Sequence, residues 1–200
     1  MIDRVEELAR AFERLPGIGP RQAKRFVFSL LAQGGAERAK MAELIRQLGD
    51  DVRQCSSCYR FWSGQGNLCN FCSESSRDGS VLMLVEKDQD LAAVERSGSY
   101  KGRYFVLGGV LTLSGKGAIR EKELVRTIGV RAKGGLSEIV LALSATSEGE
   151  HTADRVRELL APFRDALRLT ILGRGLATGS ELEYSDAATL SGALQNRKEA

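Results

Sequence analysis

CSSCYRFWSGQGNLCNFC, residues 55–72, holds all four cysteines of the chain, Cys55, Cys58, Cys69 and Cys72, spaced C-x2-C-x10-C-x2-C. Each C-x2-C pair can turn back on itself and aim two thiolates at one point. Two such pairs build a closed tetrahedral donor set, the kind that one structural zinc ion per chain takes. Two disulfides or four free thiols are the alternatives, and the spacing together with the lack of a secretory context argues for the metal. A closed four-thiolate site leaves no position for a substrate, so it points to architecture and not to zinc catalysis. Tyr59, Phe61, Trp62 and Phe71 lie in this stretch. They can stack on exposed bases, but a module this small needs aromatics to fill its core, and packing is the expectation.

Outward from this staple, 200 residues suffice for one domain of ordinary size plus one or two small ones. Hydrophobic content of 42% against 28% charged is a globular balance. No apolar run approaches the ~18 residues of a membrane span, and the start, MIDRVEELARAFERLPG, is no signal peptide. A cytoplasmic location without a membrane partner is expected. The net charge of +3 is too mild to define a nucleic-acid binder by itself, so the distribution of charge decides.

Upstream of the cysteines, Val5, Leu8, Ala9, Phe12 and Leu15 recur at helical spacing over residues 2–14. That helix must stop at LPGIGP, residues 15–20. A second helix is expected from Pro20, with Ala23, Phe26, Val27, Leu30 and Leu31 on its apolar face and Arg21, Lys24 and Arg25 gathered opposite. Backbone N–H groups of a glycine turn at a helix start hold phosphate oxygens, and adjacent cations add to this. The pattern resembles a helix-hairpin-helix that grips DNA backbone without reading sequence. The alternative is an ordinary αα-hairpin with a solvated basic face. A third helix is expected over 36–52, with Met41, Leu44, Ile45, Leu48 and Val52 inward.

Downstream the texture changes. VLMLV at 81–85 reads as a buried strand, followed by a helix over 90–96 and a strand over 104–107 closed by Gly108 and Gly109. Residues 111–116 are expected as loop, 121–131 as helix, 138–143 as strand, 151–163 as helix and 167–172 as strand. This alternation implies βαβ units and a mostly parallel sheet. A glycine-bearing loop and a helix over 187–194 close the chain, with a polar tail over 195–200. Acids fall where parallel sheets present ligands, at strand C-terminal ends. Glu86 ends the first of these strands, and Glu148 and Glu150 follow the third. One glutamate plus an acid-x-acid pair resembles the Toprim domain, whose enzymes use the lone glutamate for acid/base work and the pair for Mg²⁺. Here the pair is E-x-E where the enzymes have D-x-D, and the extra methylene displaces the carboxylate, which argues against metal catalysis. His151, the only histidine, is read as a helix-start residue and not a ligand.

The fold expected is therefore α+β and multi-module: helix-hairpin-helix at 1–53, four-cysteine zinc finger at 54–76, Toprim-type α/β domain at 77–175, and a C-terminal loop and helix at 176–200. That order of modules resembles the bacterial recombination mediator family RecR. The residues carrying it are LPGIGPRQAKRF at 15–26, the cysteine quartet, the segments 81–111 and 145–153, and GSELEYSDAATLSGAL at 179–194. Lys87, His151 and the segment TLSGKGAIREKE at 112–123 depart from the family's pattern.

The resemblance implies a non-enzymatic DNA-repair protein that works with RecO and RecF to place RecA on single-stranded DNA coated by single-strand-binding protein. It implies self-association into a dimeric or tetrameric ring that can encircle single- or double-stranded DNA. It implies DNA contact through Arg21 and Arg25, with Lys24 nearby, and RecO docking through Glu86, Glu148 and Glu150. Two other classes stay in view: a Mg²⁺-dependent Toprim nuclease or primase-like enzyme using those three glutamates, and a zinc-stapled interaction protein that never touches DNA.

Overall fold

The computed structural model describes residues 3–115 and 117–199. Met1, Ile2, Lys116 and Ala200 lie outside the described residues; Ile2 begins the expected first helix, Lys116 ends the expected 111–116 loop and Ala200 ends the polar tail. The chain divides into two compact units, Met1–Arg53 and Gln54–Ala200.

In the first unit, α1 (Arg4–Glu13) starts where the Asp3 carboxylate accepts from the Val5 and Glu6 N–H groups. It ends before the proline–glycine turn, where Gly17 takes φ 78°, a conformation that favours glycine. Pro20 then opens α2 (Pro20–Ala32) at a position that needs no N–H. The two helices bury Ala9, Ala23 and Val27 between them, with Val5, Phe12 and Ile18 around the rim. Phe12 and Phe26 meet edge to face at 5.8 Å.

The third helix, α3 (Gly35–Asp51), corrects one expectation. Met41, Leu44, Ile45 and Leu48 are not inward; they are 45–62% exposed, and α3 buries no residue. Val52 leaves the helix for β1 (Val52–Gln54). The stripe is apolar at the expected spacing, but the small α1–α2 core offers it no surface. Leu8, Leu15, Phe28 and Leu31 are exposed too. Together these helices line an open apolar groove of about 760 Å³.

The second unit contains β2 (Phe61–Ser63) and the short α4 (Asn70–Ser73), then β3 (Asp78–Val85), α5 (Asp88–Ser97), β4 (Gly102–Val106), α6 (Glu121–Lys133), β5 (Glu138–Ala142), α7 (Ser147–Leu159), β6 (Arg168–Ile171) and α8 (Ala187–Gln195). The sheet runs β4-β3-β5-β6 and all its pairings are parallel. Such strands are covered on both faces, which is why 81–85 is continuously apolar. Leu82 and Leu84 point to one side, into a core with Phe105, Leu124, Ile128, Ile139, Leu141 and Val156. Met83 and Val85 point to the other, where Leu91 of α5, Tyr104, Val106 and the buried cysteines meet them.

The α7 boundary differs from expectation. The helix starts at Ser147, because the Thr146 hydroxyl accepts from the Gly149 N–H at 3.1 Å and caps it. Glu148 and Glu150 therefore sit in its first turn and not in a loop, where their charge suits the helix dipole. His151 lies one residue further in and is exposed. Pro162 ends this segment in a short 3-10 turn, Ala161–Phe163.

Candidate metal centre and nucleic-acid interface

Each cysteine pair is formed by a tight backbone turn. Cys55 N–H donates to the Arg60 carbonyl and Tyr59 N–H to the Cys55 carbonyl, at 2.9 and 3.0 Å, while Tyr59 takes the left-handed φ of 63°. In the second turn, Cys72 N–H donates to the Cys69 carbonyl at 3.0 Å. The turns bring four Sγ atoms within 4.8 Å of one another. Cys55, Cys58 and Cys69 are buried and Cys72 is half-buried.

No disulfide joins them; the Cys58–Cys69 sulfurs are 3.6 Å apart. A tetrahedral zinc–thiolate bond of ~2.3 Å implies sulfur–sulfur edges of about 3.8 Å, so the donor set fits that ion. The Cys58–Cys69 hydrogen bond pushes the Cys58 thiol far up and holds Cys69 down. Four sulfurs this close, on two turns that aim them at one point, could hold a metal ion. The N–H of Cys69 also points at Cys55 Sγ at 3.4 Å, the outer hydrogen bond that such a ligand wants.

The aromatics pack. Trp62 and Phe71 lie against the cysteine core, and Tyr59 packs against Phe105 with ring centroids 5.2 Å apart and planes tilted by 57°. Phe61 alone stays exposed, at 54%. The cysteine module has no core of its own and shares that of the sheet. It covers the free edge of β4, where Val106 N–H donates to the Cys58 carbonyl at 2.8 Å. Arg103 donates to the Phe71 carbonyl at 2.7 Å, Arg126 to Tyr59 Oη at 2.6 Å and Arg131 to Ser57 Oγ at 2.8 Å. These long-range anchors leave no pattern in a single sequence.

At the hairpin, Gly19 caps α2 without a side chain, and the first turn holds no acid. The N–H groups of Arg21 and Gln22 have no acceptor among the described residues. Arg21 and Arg25 are exposed, and Arg25 meets only the neutral Gln22 side chain, at 3.5 Å. Lys24 is different, since its ammonium is ion-paired to Glu6 of α1. That pairing raises its pKa through the hydrogen bond to Glu6. An unsatisfied helix start beside two guanidiniums without an ion pair among the described residues offers donors of the kind a phosphate oxygen takes.

Two of the three glutamates are already engaged. Glu86 is 7% exposed, and one of its oxygens accepts from both the N–H and the hydroxyl of Ser144, at 2.7 and 2.6 Å. Glu150 is ion-paired with Arg174. Gly149 stands between the acids because α7 passes so close to the β5 exit that an added Cβ would lie 2.0 Å from the Ser144 carbonyl oxygen. Among the described residues, the one group of three or more metal-ligating side chains close enough to share an ion is the cysteine quartet, and the glutamates form no second.

Three families match this chain. A Toprim domain matches residues 80–172, the helix-hairpin-helix of RecR matches residues 5–48, and the C-terminal segment of RecR matches residues 175–198. The chain is 39% identical to "Recombination protein RecR" of Chlorobaculum tepidum over 196 residues, covering 96% of this chain and 95% of that protein. It is 37% identical to the protein of the same name from Jannaschia sp. over 194 residues, covering 97% and 96%. The Nocardioides sp. protein of that name is 37% identical over 198 residues, covering 98% and 96%. With matches along nearly its whole length and the modules in this order, the chain belongs to the RecR family of recombination proteins.

Proposed function

We propose that this chain is a non-enzymatic DNA-binding scaffold of recombinational repair. It acts with RecO and RecF to load RecA onto single-stranded DNA coated by single-strand-binding protein, as a homo-oligomeric clamp. The observation that carries the reading is the open α2 N-terminus flanked by Arg21 and Arg25 in a RecR-family hairpin. Lys24 contributes after exchanging Glu6 for phosphate. Binding is sequence-independent, because every group in the site is a backbone-phosphate donor. Glu86, Glu148 and Glu150 belong to a partner-docking surface for RecO and not to a reaction centre. A single zinc held by the four cysteines supplies a cross-link that fixes the two turns against β4.

Salt-dependent binding of labelled single- and double-stranded oligonucleotides tests this. The Arg21→Ala/Arg25→Ala variant keeps its fold and loses most affinity, and the slope of log K against log salt flattens by about 0.7–0.9 per lost phosphate contact. Unchanged affinity removes the hairpin from the site. Plasmid incubated with Mg²⁺ or Mn²⁺ stays intact; cleavage that a Glu86→Ala variant abolishes would establish the enzymatic alternative instead.

A further inference from the structure

The second unit carries a surface whose positive charge is left unneutralised. From Arg120 to Lys133, α6 and its cap hold Arg120, Lys122, Arg126, Arg131 and Lys133 against two acids, Glu121 and Glu123. Glu121 is taken up by Arg155 of α7 at 2.9 Å. None of the five cations has an ion-pair partner among the described residues. Arg126 and Arg131 donate to the neutral hydroxyls of Tyr59 and Ser57, and Arg120 donates to the Val106 carbonyl at 2.8 Å. Elsewhere in this unit Arg77 pairs with Glu74 and Glu95, Arg155 with Glu121 and Glu158, Arg157 with Asp154 and Arg174 with Glu150. Other cations without an ion pair among the described residues, such as Arg96 and Lys101, do not share a helix face with two more as Lys122, Arg126 and Lys133 do.

Helical periodicity sorts the row. Leu124 and Ile128 are buried against the sheet, which turns Lys122, Arg126 and Lys133 outward, and all three are exposed. At 1.5 Å per residue they extend along ~16 Å of helix. One strand of a duplex sets a phosphate every ~3.4 Å, so this length faces about five of them. Arg126 is held in place by the Tyr59 hydroxyl, which costs it no charge.

We propose that the outer face of α6, with the hydroxyls of the first cysteine turn beside it, is a second phosphate-backbone contact surface for DNA. A linear row of cations matches a linear polyanion. An acidic protein segment fits it less well, since Val130 is the only large apolar side chain exposed on this helix and it seats no hydrophobic anchor. The inference rests on the DNA-binding reading above and adds a contact in the other unit.

The experiment compares four full-length proteins: wild type, the hairpin variant Arg21→Ala/Arg25→Ala, the row variant Lys122→Gln/Arg126→Gln/Lys133→Gln, and the combination. Oligonucleotide affinity is measured across salt, and thermal melting confirms folding. The row variant is expected to flatten the salt slope by about 2–3, and the combination to bind more weakly than either parent. Restoring charge with Arg126→Lys alone should keep the wild-type slope, which separates loss of charge from loss of fold. If wild type binds and the hairpin variant weakens while the row variant keeps the wild-type slope, the row is not a DNA surface and the hairpin reading stands. A row variant that loses an acidic protein partner at unchanged DNA slope overturns the inference likewise. No DNA binding by wild type overturns both readings.

Discussion

Lys24 Nζ lies 2.5 Å from Glu6 Oε1, joining the basic start of α2 to the first turn of α1. One of three hairpin cations is thus held by a carboxylate that would compete for it with the phosphate proposed above. Lys24 is charged at neutral pH with or without this partner, so Glu6 acts by occupancy and not by protonation. Glu6→Gln should raise DNA affinity about two- to five-fold at low salt and steepen the salt slope by about one phosphate contact. Adding Lys24→Ala should cancel the gain; a gain that survives would place the effect elsewhere.

Much of this arrangement is legible in the sequence, and the rest is missing for one physical reason. Local rules reached the hairpin, the cysteine turns and the parallel strands, because Gly17, Pro20, C-x2-C spacing and the 81–85 run act through their neighbours in sequence. The Glu6–Lys24 pair, the Ser144 bonds to Glu86, the Arg174 cover on Glu150 and the hold of Arg126 and Arg131 on the cysteine turn join distant residues, and no periodicity encodes them. The α3 stripe was legible as apolar but not as exposed, since spacing shows which residues share a face and not what covers it. The early start of α7 was written in Thr146, a cap that the glycine at 149 disguised.

Arg77 is the point where the cysteine module, α5 and β4 converge. Its guanidinium, with a side chain 8% exposed, grips both oxygens of Glu95 at 2.6 and 2.9 Å, meets Glu74 at 2.9 Å and lies 4.6 Å over the Phe71 ring. Tyr104 Oη donates to the same Glu95 at 2.6 Å. Arg77→Ala should cost about 3–5 kcal/mol in urea denaturation, because it leaves the half-buried Glu95 carboxylate without its cationic partner. Arg77→Lys should recover only part, lacking the two-pronged grip and the flat stacking surface. Burial pushes the Glu95 carboxyl up, but the Arg77 and Tyr104 hydrogen bonds outweigh it and hold it below the usual range. Its contribution is therefore full above the unfolded value of about 4.3 and is lost as pH falls through the lower folded value. The alanine variant should show a shallower acid-side loss of stability than wild type; an unchanged pH profile would remove Glu95 from the account.

Metal removal should reach beyond the cysteine turns. Cys55, Cys58 and Cys69 share one core with Met83, Val85, Tyr104 and Val106. Loosening the turns therefore uncovers one face of the sheet and the edge of β4. The purified chain should hold about one zinc, and a Cys58→Ser variant should lose it. The loss should cost about 4 kcal/mol or more, lowering the melting temperature of the second unit by ~8–16 °C. A variant that sheds the metal and melts as before would make the cluster dispensable to the fold.

The exposed faces of the first unit make the last prediction. Ile45 and Leu48 are 60% and 62% exposed on a helix that buries nothing, beside a groove of about 760 Å³ lined by Leu8, Phe12, Leu30 and Met41. In the oligomer proposed above, a second copy of the same surface would cover it by twofold symmetry. Ile45→Asp/Leu48→Asp should halve the solution mass, or lower it to the monomer, by light scattering. Stability of the dissociated chain should change little, because neither side chain packs in the α1–α2 core. DNA affinity should fall with the mass, since a clamp multiplies each hairpin's phosphate contacts by the number of copies. A charged pair that leaves the mass unchanged would show that α3 faces water in the assembly.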